Sequence, residues 1–152
     1  MRSNRIQLLI WSSILPGIGQ FMNQKYMKGI VLIALVLIVN IQSNYNETII
    51  LSLYGNTDEA IKTIDYQWLL FYPCIYFFAM YDAFKDAKGK DLPYSFLPFV
   101  FATYTATLGI IFSSNFRVWG VQLGPVFLPA LFLLPGLLVG YIMMRLLGGQ
   151  SP

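Results

Sequence analysis

Histidine is absent from the 152-residue chain, cysteine occurs once, and charged residues make up only 11% of the sequence. Each scarcity excludes something. With no histidine and with Cys74 alone, no ligand set for zinc, haem or an iron–sulfur cluster can be assembled. The same inventory removes Ser-His-Asp and Cys-His catalysis. A single cysteine closes no internal disulfide, so cysteine usage says nothing of the redox compartment. The six methionines are scattered and form no thioether box. A soluble domain carries about 25% charged residues. At 11% charged against 57% hydrophobic, this chain lacks the polar surface to coat a water-soluble globule. The composition predicts an all-α membrane protein, one polytopic domain over residues 1–152, with the lipid bilayer as a partner and no nucleic-acid or cofactor binding.

A spanning helix needs about 20 mostly apolar residues. Residues 29–42, 67–84, 96–114 and 125–147 read as four such helices, the first short unless 26–28 extend it. A fifth apolar stretch, 6–22, is interrupted by Pro16, Gly17, Gly19 and Gln20, which break or loosen a helix. It is either a re-entrant or interfacial hairpin or a fifth transmembrane helix. As a secretory signal peptide it would need a small-x-small cleavage site, and none follows, so it is expected to stay in the mature chain.

Lys and Arg favour the cytoplasmic side of short loops. Arg2, Arg5, Lys25 and Lys28 flank the first stretch on both sides, Lys85, Lys88 and Lys90 cluster after the second long helix, and Arg145 lies near the C-terminus. Segment 43–66 holds Glu47, Asp58, Glu59 and Asp65 against Lys62 alone. The expectation is a multi-pass protein of the cell membrane, with 43–66 extracytoplasmic and 85–95 cytoplasmic. Positive charge on both flanks of 6–22 favours the hairpin. Asn56-Thr57-Asp58-Glu59 reads as an N-cap with an acidic first turn, and Ile61, Ile64 and Trp68 follow at helical spacing. The second long helix is thus expected to begin near Thr57 and to stand partly outside the membrane.

The most distinctive string is residues 15–29, LPGIGQFMNQKYMKG, leading into an apolar helix. Pro16 and Gly17 end one helix, while Gly19 and Gly29 permit close backbone approach. Gln20, Asn23, Tyr26 and Lys28 bring amide, phenol and ammonium groups to the headgroup level. The string resembles the PGxGQxYxGxxxKG turn of small prokaryotic polytopic membrane proteins, which often carry a later DAxxxAK block; residues 81–88, YDAFKDAK, look like that block. The resemblance covers about 25 residues and departs at Met22 and Gln24, where the family has more often an aromatic residue and a glycine. It implies a shared architecture and no reaction. The turn either lets two helices pack or offers backbone amides and lysines to a lipid phosphate or partner.

Asp82 falls at the C-terminal end of its helix, where the dipole disfavours an anion by roughly 0.3–1 kcal/mol. Its candidate partners are Lys85 at i+3, Lys28, or the amides of 17–19. Thr103 and Thr107 share a face and are expected to bond back to their own helix. Pro125, Pro129, Pro135 and Gly140 point to kinks and close approach, and Leu134-Pro135-Gly136 echoes Leu15-Pro16-Gly17. Cys74, deep in its helix, is expected to be buried.

The four apolar segments contain no Asp, Glu, His, Lys or Arg from 29 to 42, 67 to 81, 96 to 114 and 125 to 144, which disfavours ion-coupled transport. No spacing sets up a nucleophile and base. The sequence therefore points to a non-enzymatic subunit that works by packing: an accessory, assembly or scaffold component beside another membrane protein or its own copies. A small oligomeric pore or uncoupled permease is the alternative.

Overall fold

The computed structural model describes residues 4–87 and 92–149. The described residues are helical in their regular structure apart from one two-stranded hairpin. In order the helices are α1 (Arg5–Ile14), α2 (Ile18–Met22), α3 (Tyr26–Gln42), α4 (Tyr45–Leu53), α5 (Thr57–Thr63), α6 (Tyr66–Leu69), α7 (Phe71–Lys85), α8 (Leu97–Phe112) and α9 (Gly124–Gly148). Strands β1 (Arg117–Val118) and β2 (Val121–Gln122) pair antiparallel between α8 and α9.

Helix α9, with 25 residues, is long and apolar enough to cross a membrane. Helices α3 and α4 reach that standard only as a pair, and a bend of 63° separates them. Asn44, at φ 56°, makes the turn between them. Helix α8 is apolar but has 16 residues.

The expected second long helix is instead three pieces. Asn56 does occupy the N-cap of α5, yet its side chain makes no capping bond, and the helix ends at Ile64 in extended conformation. Asp65 then caps a new start, its Oδ1 accepting from the amides of Gln67 and Trp68 at 2.9 and 3.2 Å. Competition between an unbonded and a bonded cap explains the break, since a capping side chain satisfies amides that a continuing helix would have to pair. The Asp65 amide in turn donates to the Ser43 carbonyl at 3.0 Å, and Asn44 Nδ2 to the Thr63 carbonyl at 3.2 Å. These bonds bind α4, α5 and α6 into one layer across the ends of α3 and α9. Beneath it lies a cluster of Ile64, Leu69 and Ile110, flanked by Tyr45, Tyr66 and Tyr72.

Helices α8 and α9 form the most extensive contact. A Cβ on Gly140 would stand 2.5 Å from Pro98 Cα, on Gly136 2.7 Å from the Phe101 carbonyl, and on Gly109 2.6 Å from Pro129 Cα. Backbone meets backbone there because the glycines present no side chain. Helix α9 continues through Pro129 and Pro135. The Leu-Pro-Gly echo is therefore not structural: at 134–136 it lies within a helix, at 15–17 it ends one. Thr103 and Thr107 bond back to the carbonyls of Phe99 and Thr103, both at 2.8 Å. Cys74 is exposed rather than buried. It follows buried Pro73, and one step of about 100° around the helix carries it to the outer face.

Candidate functional site

Residues 6–22 form no continuous helix. Helix α1 starts with the Asn4 side chain accepting from the Ile6 amide, and it stops where Pro16 forces Leu15 out of helical conformation. Gly17, at φ 107°, makes the turn. A Cβ there would be strained and would meet Ile33 Cγ1 at 2.6 Å and the Gly29 carbonyl at 2.8 Å. Gly29 is needed from the other side, because its own Cβ would stand 2.6 Å from the Phe21 ring. Pro16 is fully buried at this crossing.

Contacts along α7 trace the path of the hairpin. Arg5 lies over the Phe84 ring at 4.9 Å, and the Tyr76 hydroxyl, two turns back along α7, donates to the Ser13 carbonyl at the end of α1. The chain then returns: Gln20 meets Ala79 and Asp82, Asn23 meets Ala83, and Lys25 meets Asp86. Both ends of 5–25 thus lie beside the C-terminal end of α7.

On that return the signature residues and the DAxxxAK-like block come together from some 60 positions apart. Gln20 is fully buried, and its Nε2 donates to the Ala79 carbonyl at 2.8 Å and to Asp82 Oδ2 at 3.0 Å. Asn23 Nδ2 donates to the Ala83 carbonyl at 2.9 Å, taking up one of the acceptors a helix end leaves over. Ala79 and Ala83 are fully buried, and a Cβ on Gly19 would overlap Ala83 Cβ at 2.6 Å and Ser12 Oγ. Small residues on both sides let the amide side chains reach the α7 backbone.

A charged layer closes this contact. Lys28 Nζ lies 2.6 Å from Asp82 Oδ1 and 3.6 Å from Asp86 Oδ2, while Lys25 Nζ lies 2.6 Å from Asp86 Oδ2. Asp82 therefore takes Lys28 and Gln20 as partners. Lys85 and the amides of residues 17–19 do not bond it among the described residues. Lys28 precedes the apolar run of α3. Tyr26 remains on the surface, its ring 5.9 Å from Phe21.

Four participants escaped the sequence reading: Lys25 as a partner for Asp86, and Ala79 and Ala83 as the docking surface. Their signal was present as spacing, since Ala79/Ala83 and Asp82/Asp86 are both i,i+4 pairs on α7. Arg2, Lys88 and Lys90, invoked for orientation, lie outside the described residues. No group of three or more potential metal-ligating acidic or cysteine residues occurs among the described residues.

Fold and site define the class: a predominantly helical protein with, among the described residues, one helix long and apolar enough by itself to cross a membrane, and a Gly-Gln-Asn turn clamped to a neighbouring helix end. Comparison with protein-family models finds no match to this chain, and neither the curated proteins nor the solved structures give a significant one.

Proposed function

We propose that the chain is a non-enzymatic multi-pass membrane protein acting through packing, as an accessory, assembly or scaffold subunit beside another membrane protein or copies of itself. The observation that carries this reading is where the signature spends its polar groups. Gln20, Asn23 and Lys28 all bond to α7, and two of the bonds go to main-chain carbonyls, which offer no chemistry. A constellation turned on its own backbone fixes helix positions. In keeping with the resemblance to small prokaryotic membrane proteins, we assign the turn and the 81–88 block to one shared architectural unit.

Four membrane passes, by α3, α7, α8 and α9, belong to the same proposal. The distribution of side chains supports it: buried positions include Ser12, Gln20, Ser43, Thr48, Ser52 and Ser113, while Ile41, Leu53, Leu134 and Leu138 stand more than half exposed. Apolar residues outward and small polar residues inward suit a hydrocarbon solvent. Helix α1, at 10 residues and roughly 15 Å, is too short to cross, so α1 and α2 enter and return on the cytoplasmic side. Segment 43–66 then faces outward and 85–95 inward.

Affinity purification of the full chain in mild detergent, with native electrophoresis and mass spectrometry, tests the function. A stoichiometric membrane partner or a defined homo-oligomer is expected. A monomer without partners that conducts ions or small solutes in liposomes would replace this reading with the pore.

A further inference from the structure

Helices α7 and α9 scarcely touch, and a cavity of about 420 Å³ lies between them over α8. Its two ends differ in chemistry. At the end under the α4–α5 layer stand Tyr45 and Tyr72, ring centroids 4.9 Å apart. Their hydroxyls have no hydrogen-bond partner among the described residues, whereas the hydroxyl of neighbouring Tyr76 is taken by the Ser13 carbonyl. Two turns further along α7 the lining becomes apolar, with Phe77 and Met80 facing Ala130 and Leu133 of α9. From Leu69 to Met80 the helical rise gives a length of roughly 16 Å.

We infer that this cavity holds one phospholipid of the outer leaflet, its ester carbonyls accepting from the Tyr45 and Tyr72 hydroxyls and one acyl chain lying along α7 toward Met80 and Leu133. The assignment rests on the multi-pass reading above, which puts the tyrosine end at the outer headgroup boundary and the Met80 end within the hydrocarbon. A lipid presents its polar and apolar parts in that order, and tyrosines at this depth suit its ester region. A cylinder of about 420 Å³ and roughly 16 Å length is about 6 Å across, the width of an acyl chain and too narrow for a partner helix of about 10 Å.

The test uses the full chain in nanodiscs of palmitoyl-oleoyl phosphatidylethanolamine and phosphatidylglycerol in equal parts, extracted into mild detergent, washed, and examined by native mass spectrometry. The wild type should keep one phospholipid per chain, of either headgroup. Ala130→Phe, which fills the apolar end, should lose it. Tyr45→Phe with Tyr72→Phe should weaken retention about tenfold, while Leu134→Phe, on the exposed face of α9, should leave it unchanged. If Ala130→Phe does not fold, Ala106→Leu narrows the cavity from α8 and is read in the same way. A wild type that keeps no phospholipid, a filled variant that keeps as much, or retention confined to one headgroup would overturn the assignment. A chain recovered from cells without detergent would sink the multi-pass reading itself; a detergent-requiring chain with no retained lipid sinks the lipid site alone.

Discussion

Replacing Asp82 by alanine removes the acceptor that joins the Gln20 amide to the Lys28 ammonium. The Lys28 side chain is half exposed, so its ion pair is worth only about 0.2–1 kcal/mol. The bond from fully buried Gln20 to the carboxylate is charge-assisted and desolvated, worth about 1.5–3 kcal/mol. Removing the anion also relieves roughly 0.3–1 kcal/mol of helix-dipole conflict. The net loss is about 2 kcal/mol, which for a chain of this size lowers the unfolding midpoint by roughly 4–8 °C. The assay is thermal unfolding in mild detergent, run as double-mutant cycles. Asp82→Ala should be strongly sub-additive with Gln20→Ala, and more weakly so with Lys28→Ala, because each pair removes a shared contact. Full additivity with Gln20→Ala would refute the clamp. So would an unchanged midpoint, and if it came with loss of a cellular phenotype, Asp82 would become a candidate functional residue.

The contacts of Asp86 with Lys25 and Lys28 give Asp86→Ala a cost of up to about 1 kcal/mol, smaller than that of Asp82→Ala in the same assay. Gly19→Val drives a branched side chain into Ser12 and Ala83 and should cost about 1–3 kcal/mol, whereas Gly148→Ala, whose Cβ makes ordinary contact at 3.7 Å, should be neutral; equal unfolding midpoints would count against close docking of the hairpin. Gly140→Ala should loosen α8 from α9, because the obstacle is the Leu97–Pro98 backbone and no rotamer can relieve it; a disulfide-trapping or spin-label distance between the two helices that stays at the wild-type value would contradict this. In a Cys74→Ala background, single cysteines at Asn56 and Gly89 should react with impermeant reagents from outside and inside respectively, and cysteines at Ser3 and Gln24 from the same side; labelling of Gly89 from outside would invert the topology, and opposite sides for Ser3 and Gln24 would establish a fifth span.

Much of this architecture follows from one-dimensional patterns. The poverty of charge and the apolar run at 125–147 are enough for a helix such as α9, because the rise per residue turns length directly into span. Pro16-Gly17 is enough to break 6–22, since each residue acts on the backbone locally. Other features depend on partners distant in sequence. The break at Ile64–Asp65 depends on Asp65 as a cap and on the Ser43 carbonyl, so spacing alone joined α5 to the helix after it. Cys74 could not be placed inside or outside by its depth in a segment, because the face a helix buries is set by its neighbours. The choice of Lys28 over Lys85 for Asp82 was likewise open in sequence: the local i+3 pair is always within reach, and only the return of α2 along α7 brings Gln20, Asn23 and Lys28 to that helix end together. Composition and local backbone preference determined that the chain is helical and where it turns. Tertiary structure alone decided which helix ends meet, because burial and charge pairing are properties of surfaces that exist only once the helices are packed.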